Sequence, residues 1–180
     1  MLAMSDEELA ARARNGDEAA FGQVLERHYD RLYRIAYRFF GSAVEAEDVA
    51  QDICMALAAR IRTFRGDSRF STWLYAVALN ACRDHARRQT SRMKLQGSFA
   101  AFAEQRSADW ADSDERARWL YRAVDKLDPA LKETALLVLA EDMSHAEAGE
   151  VLGVKENTIS WRMHEAKKRL KAMADDERRA

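Results

Sequence analysis

Three groups of residues in this chain have the types and spacing for recognition rather than for bond chemistry. Asp48, Gln51 and Asp52 fall within about one turn of a predicted helix and share one face, which by itself reads as a solvated surface. Phe64 to Tyr75 (FRGDSRFSTWLY) is a polar stretch interleaved with aromatics, and the basic run Asn80 to Arg88 (NACRDHARR) follows it. Near the C-terminus, His145 to Leu170 carries a helix-turn-helix pattern, a second element suited to nucleic acid. An acidic face followed by two DNA-facing modules suggests a protein that carries something else to DNA.

In the helix-turn-helix, numbered from His145, a small residue falls at position five (Gly149), glycine at nine (Gly153) and a branched apolar residue at fifteen (Ile159). The small residue lets two helices cross closely, Gly153 permits a positive φ in the turn, and Ile159 pins the second helix to the first. Lys155, Glu156, Asn157, Ser160, Trp161 and His164 then point outward, bordered by Thr158 and Arg162. Such residues reach base edges and phosphates when the helix enters a major groove. Lys167, Lys168 and Arg169 add phosphate contact, whereas Glu156 and Glu165 work against it. Trp161 either stacks on sugar or a thymine methyl or folds back onto its own domain.

Charge distribution separates these modules. The 180 residues carry a net charge of −1, unlike a dedicated nucleic-acid binder, yet Arg83–Lys94 holds five basic residues against one acid. Lys155–Lys171 holds six against two, and Glu104–Arg116 between them holds five acids and two bases. No apolar run approaches the roughly eighteen residues that span a membrane, and the start MLAMSDEELA is acidic rather than signal-like. The expectation is a cytoplasmic chain with no membrane contact of its own. Cys54 and Cys82 are isolated and read as small core residues. His28, His85, His145 and His164 are scattered without ligand spacing, and no nucleotide loop or nucleophile pair is present. The reading is therefore a non-enzyme with no catalytic residue, metal or cofactor.

The elements that position these groups are helical, since one proline and seven glycines leave little punctuation. Asp17–Phe40 has apolar residues Phe21, Val24, Leu25, Leu32, Ile35, Ala36 and Phe39 at helical spacing, and Gly41 ends it. Ser42-x-x-Glu45 is a capping-box pattern that starts a second helix with Val49, Ile53, Leu57, Ile61 and Phe64 inward. Gly66-Asp67-Ser68 breaks that helix, and Ser71 is placed to cap a third, with Trp73, Leu74, Val77, Ala78 and Ala81 apolar. Ser91–Ser113 has weak periodicity and reads as a linker. Its Phe99, Phe102 and Trp110 either dock on a partner or neighbouring domain or belong to a short helix on the protein's own surface. A helix over Asp114–Leu127 follows, then Asp128-Pro129 as a helix start, Leu131–Ala140, and Ser144 with Glu147 as another capping box. The fold class is all-α: two small helical domains, 1–92 and 114–180, joined by a linker at 93–113.

Taken together, the segments resemble bacterial RNA polymerase sigma factors of the short, two-domain extracytoplasmic-function (ECF) class, from about Asp17 to Leu170. Residues Ala46–Asp52 are similar to the region-two helix that docks on the coiled-coil clamp of the polymerase β′ subunit, and the resemblance gives that role to Asp48, Gln51 and Asp52. Trp73-Leu74-Tyr75, Asn80 and Asp84 match the family's following motif. The loop before them lies where the family captures a base flipped from the promoter −10 element, which needs a polar pocket and a stacking surface. Phe64, Arg65, Asp67, Ser68 and Asn80 are the implied suppliers, with Arg83, Arg87 and Arg88 on phosphates; Trp73 reads as core. In region four, Glu147, Leu152-Gly153-Val154, Thr158-Ile159, Arg162, His164, Ala166 and Arg169-Leu170 match the family's −35-reading motif. Ala148-Gly149, Asn157, Trp161 and Glu165 depart from it. The resemblance assigns −35 recognition to Lys155, Asn157, Thr158, Ser160, Trp161, Arg162, His164, Lys167 and Lys168. It implies core polymerase and promoter DNA as partners, and control by an anti-sigma protein as in a stress response.

Two rival readings make different demands. A stand-alone helix-turn-helix regulator binds a palindrome as a dimer, with half-sites about one helical turn apart. A helical adaptor needs no DNA and functions independently of salt. The sigma reading requires two dissimilar promoter elements. It also gives the acidic linker a role, since in this family the linker threads toward the active centre, where acids mimic nucleic acid. Neutralising Asp109, Asp112 and Asp114 is expected to shift the distribution of abortive transcripts; unchanged product lengths would refute that role.

Overall fold

Each half of the chain closes around its own apolar core, and local capping chemistry sets several of the helix boundaries. The computed structural model describes residues 4–96 and 115–179, and all regular structure among them is helical. The chain divides into two compact units, Met1–Asp109 and Trp110–Ala180. The readings placed on Phe99, Phe102, Trp110 and the acids at 104–114 lie outside the described residues.

The N-terminal unit begins with a helix the sequence reading did not mark, α1 (Asp6–Arg14). Its signal is a full capping box: the Ser5 hydroxyl accepts from Glu8 N–H, and Glu8 reaches back to Ser5 N–H at 2.8 Å. Leu9, Ala10 and Ala13 are buried beneath it. In α2 (Glu18–Phe40), Asp17 caps the first turn and Gly41, at φ 71°, ends the helix. The bond from Ala20 N–H, then the nearby Arg12, holds the Asp17 carboxyl below its ordinary pKa. Val24, Leu32, Ile35, Ala36 and Phe40 form the inward stripe of α2. His28 is also buried, against the Phe70 ring at 5.6 Å, with Nε2 3.0 Å from Asp6 Oδ2 but out of hydrogen-bond alignment. Burial outweighs the Asp6 carboxylate and lowers the His28 pKa, so the packed imidazole favours its neutral form.

Ser42 caps α3 (Ala43–Arg60) through Glu45 N–H, and Ala46, Val49, Ala50, Ile53 and Leu57 are fully buried. The reciprocal half of the expected capping box is replaced: the Glu45 carboxylate accepts from Gln89 instead. A 3₁₀ turn, Ile61–Thr63, carries the chain to Phe64, and both Ile61 and Phe64 are buried as expected. Helix α4 (Phe70–Gln96) starts one residue before Ser71, so Ser71 is not its cap. The first helical bond runs from Trp73 N–H to Arg69 C=O, and Phe70 N–H donates to Glu7 Oε1 of α1 at 3.3 Å. A carboxylate sixty-three residues away thus takes the place of the local hydroxyl. The helix also runs to Gln96, past the point where the linker reading begins, because no glycine or proline intervenes before Gly97. Cys82 is buried and Cys54 half-buried, neither in a disulfide, and burial raises the Cys54 pKa.

In the C-terminal unit, α5 (Glu115–Asp125) and α6 (Pro129–Ala135) pack Ala123, Val124, Leu127 and Leu131 against Ala166 and Leu170 of α8 (Glu156–Glu177). Pro129 stands at the first position of α6 and Asp128 before it, as expected, but the Asp128 carboxylate makes no cap bond. Arg169 draws it away into an ion pair while also bonding Glu165 at 3.0 Å. These two carboxylates raise the Arg169 pKa. Helix α6 ends in a wider π turn, Leu136–Ala140, closed by Glu141 N–H to Leu136 C=O at 3.2 Å.

Helix α7 (His145–Leu152) opens with the complete Ser144/Glu147 capping box and ends at Gly153, at φ 67°. Ile159 is fully buried, as its motif position requires. Gly149 leaves no room for a side chain: a Cβ there would lie 2.8 Å from the Val154 carbonyl oxygen. Gly149→Ala is therefore expected to destabilise the C-terminal unit by about 1–3 kcal/mol. Hydrogen exchange on the full chain should show faster exchange across α7 and α8, with α2 to α4 unchanged.

Candidate interfaces for a basic partner and for nucleic acid

Burial of Ala46, Val49, Ala50 and Ile53 forces the intervening residues of α3 outward. Val44, Asp48, Gln51 and Met55 recur at four-, three- and four-residue steps and form one exposed stripe. Val44 is 60% and Met55 63% exposed, so apolar groups lie at both ends of the polar pair. The sequence reading named Asp48, Gln51 and Asp52 and missed these two; their signal was apolar character out of register with the core. Asp52 differs from its neighbours. It is half-buried, its Oδ2 accepts from Arg88 Nη2 at 2.6 Å, and His85 Nδ1 lies 3.5 Å away. The ring of His85 in turn packs on Phe40, edge to face at 5.3 Å. Asp48, Gln51, Asp52, His85, Arg88 and Arg92 are among the residues lining a cleft of about 470 Å³ between α3 and α4.

The loop after α3 is polar at its tip and aromatic at its ends. Arg65, Gly66 and Asp67 are exposed, and Gly66 adopts φ 80° with open space around it. Phe64 and Phe70 are buried and meet edge to face at 5.4 Å, with Trp73 5.5 Å and 5.8 Å from them. A cavity of about 560 Å³ over the loop is lined by Arg62, Thr63, Phe64, Arg65, Asp67, Ser68 and Trp73. Phe64 was expected to offer a stacking surface. At 5% exposure it lies mostly beneath the cavity, and the half-buried Trp73, read from sequence as core, supplies more aromatic surface. Tyr75 is buried, with the Arg31 guanidinium 5.9 Å above its ring.

Along α4, the expected phosphate ligands already have intramolecular partners. Arg83 donates to Asn80 Oδ1 at 3.1 Å, Arg87 pairs with Asp84, and Arg88 holds Asp52. Asn80 thus lies on the same helix as these arginines but nearly three turns from the loop, with its carbonyl engaged. The two arginine–aspartate pairs are exposed enough for solvent to screen them, so a phosphate can displace the carboxylate at small cost.

On α8, Lys155, Asn157, Ser160, Trp161, His164, Lys167 and Lys168 are exposed, and Thr158 and Arg162 are half-buried beside them. Trp161 is 64% exposed and does not fold back onto the domain. Ser160 donates to Glu156 C=O at 3.2 Å and its hydroxyl lies 2.9 Å from His145 Nδ1, linking the two helices of the motif. Reading a base with Ser160 therefore competes with an existing bond, whereas Asn157 carries no such commitment.

A model for sigma-70 region 2 matches residues 24–92, and one for sigma-70 region 4 matches residues 117–170. RNA polymerase sigma factor NccH of Alcaligenes xylosoxydans xylosoxydans is 30% identical over 93% of this chain and 94% of its own length. ECF RNA polymerase sigma factor SigW of Bacillus subtilis is 26% identical over 92% and 94%. The solved structure of CnrH in complex with the cytosolic domain of CnrY is 28% identical, with a TM-score of 0.70 over 95% of this chain and 97% of that one. The chain belongs to the ECF RNA polymerase sigma factors. It is a transcription initiation factor that binds core RNA polymerase and promoter DNA, which removes the stand-alone regulator and the adaptor as readings.

The outward residues of α8 divide by chemistry. Asn157→Ala is expected to relax base preference at one −35 position, worth about 1–3 kcal/mol. Arg162→Ala should weaken all promoters alike and reduce the salt slope of DNA binding by about one. Transcription by the reconstituted holoenzyme from a set of −35 variants separates the two; a uniform effect of both substitutions would contradict this division.

Proposed function

We propose that the α3 stripe centred on Asp48 and Gln51 is the docking face for the clamp helices of the polymerase β′ subunit. The observation that carries this reading is the stripe itself: two polar side chains, one of them a carboxylate, flanked by exposed Val44 and Met55, within the region-2 match. A basic, partly apolar helix is its chemical complement. Asp52 contributes at the edge of the same face while holding Arg88.

On this reading the 64–70 loop captures an unstacked −10 base, with Arg65, Asp67 and Ser68 at the cavity and Trp73 as the aromatic wall beside Phe64. Asn80, Arg83, Arg87 and Arg88 follow the strand. The outward face of α8, from Lys155 to Lys168, reads the −35 element. Residues 1–92 and 114–180 act as the two functional domains and 93–113 as the linker. The chain contributes binding and no bond chemistry of its own, so it is not an enzyme, and its place of action is the cytoplasm, where core polymerase works. An anti-sigma protein that covers the α3 face is the expected regulator. The relative CnrH, solved with the cytosolic domain of CnrY, supports such control.

The test is the affinity of the full chain for bacterial core RNA polymerase. Asp48→Lys places a cation against a basic partner and is expected to weaken binding at least about tenfold. Asp52→Asn should have a smaller effect. Undiminished affinity of Asp48→Lys would displace the docking face from α3.

A further inference from the structure

The N-terminal helix α1 lies outside both family matches, the first of which begins at residue 24, and no part of the two interfaces falls on it. Its polar contacts are not random. Arg14 Nη1 donates to the carbonyl oxygen of Phe64 at 3.2 Å, and Glu7 Oε1 accepts from Phe70 N–H at 3.3 Å. Phe64 and Phe70 are the two ends of the loop. Glu7 and Arg14 are seven residues apart on one helix, so their Cα atoms are separated by about 10 Å along its axis. Between these two grips the loop tip, Arg65 to Asp67, is exposed.

Helix α1 is itself fixed from the other side. Leu9 and Ala10 are fully buried, and Arg27 of α2 donates to Met4 C=O at 2.7 Å and to Asp6 Oδ1 at 3.1 Å. Arg12 bonds the capping carboxylate of Asp17 at 2.8 Å, tying the end of α1 to the start of α2. A rigid element anchored to α2 thus holds both backbone ends of a loop whose middle makes the pocket. The two bonds reach main-chain atoms, so they set the span of the loop without occupying any side chain that could face DNA.

We propose that α1 is a brace for the base-capture loop, with Glu7 and Arg14 as positioning residues that fix the separation of Phe64 and Phe70 and so the shape of the −10 pocket. This rests on the reading of the loop as the −10 site. The brace acts on discrimination: a loop with a loose end still meets DNA but selects its base poorly.

The experiment uses holoenzyme reconstituted from the full chain and core polymerase, with promoters selected from a randomised DNA pool by the wild type. Matched-over-mismatched transcription is measured at the −10 and −35 positions, beside core affinity and thermal midpoint. Arg14→Ala and Glu7→Ala should each lower the −10 ratio about fivefold, the net worth of one hydrogen bond, and leave the −35 ratio and core affinity unchanged. Glu7→Gln, which keeps an acceptor, should retain the wild-type ratio. If Arg14→Ala does not fold, Arg14→Lys, which moves the donor, should show the same selective loss. An unchanged −10 ratio in the brace variants, while Asp67→Ala/Ser68→Ala collapses it, overturns the brace and leaves the loop reading intact. Proportional loss of every function also overturns it, as plain destabilisation. If Asp67→Ala/Ser68→Ala leaves the −10 ratio unchanged, the loop reading falls and the proposal with it.

Discussion

The edge-to-face contact of Phe64 and Phe70 is the constraint on which the N-terminal unit depends. Six residues separate a 3₁₀ turn from a long helix, and their tip is polar, exposed and free of regular structure. Such a segment has no apolar surface with which to order itself. Burying an aromatic ring at each end pins it to the core while leaving the tip in water. Trp73 completes the cluster and meets the cavity above it, so the same contact that closes the loop also furnishes its wall.

Charge in this half of the molecule is arranged as exchangeable pairs. Asp52 faces the cleft beside the α3 stripe yet is bound to Arg88, a residue of the proposed nucleic-acid surface. Asp84 and Arg87 form a similar pair one turn away. Each arginine that moves to a phosphate leaves a carboxylate behind, which then adds to the acidity near α3. A near-neutral chain can in this way present a basic surface to DNA and an acidic one to a protein partner, without the long-range repulsion that a strongly charged chain would carry.

What the sequence made legible was whatever depends on neighbours in the chain. The stripes of α2 and α3, the cap at Ser42, the glycine stops at 41 and 153 and the Ser144/Glu147 box all involve residues within four positions of one another. The misses are contacts across tens of residues. Ser71 lost the start of α4 to Glu7, and Asp128 stands before α6 but gives its carboxylate to Arg169. Asp52 shares a helical turn with Asp48 but is claimed by Arg88 from another helix. Helix α1 is the exception: its Ser5-x-x-Glu8 box is local and readable, yet the sequence reading draws from the acidic run there only the absence of a signal-like pattern. The two proposed interfaces rest on the family pattern, because no local rule distinguishes a docking carboxylate from a solvated one.

Trp161 gives one of these interfaces an observable of its own. Its indole is 64% exposed on the outward face of α8, while Trp73 and Trp119 are partly covered by their cores. Its emission is therefore set by water, and a duplex laid across that face replaces the water with sugar and base. A blue shift and protection from a soluble quencher would report occupancy of the C-terminal surface with no label attached. The same residue that departs from the family motif makes this chain its own optical reporter.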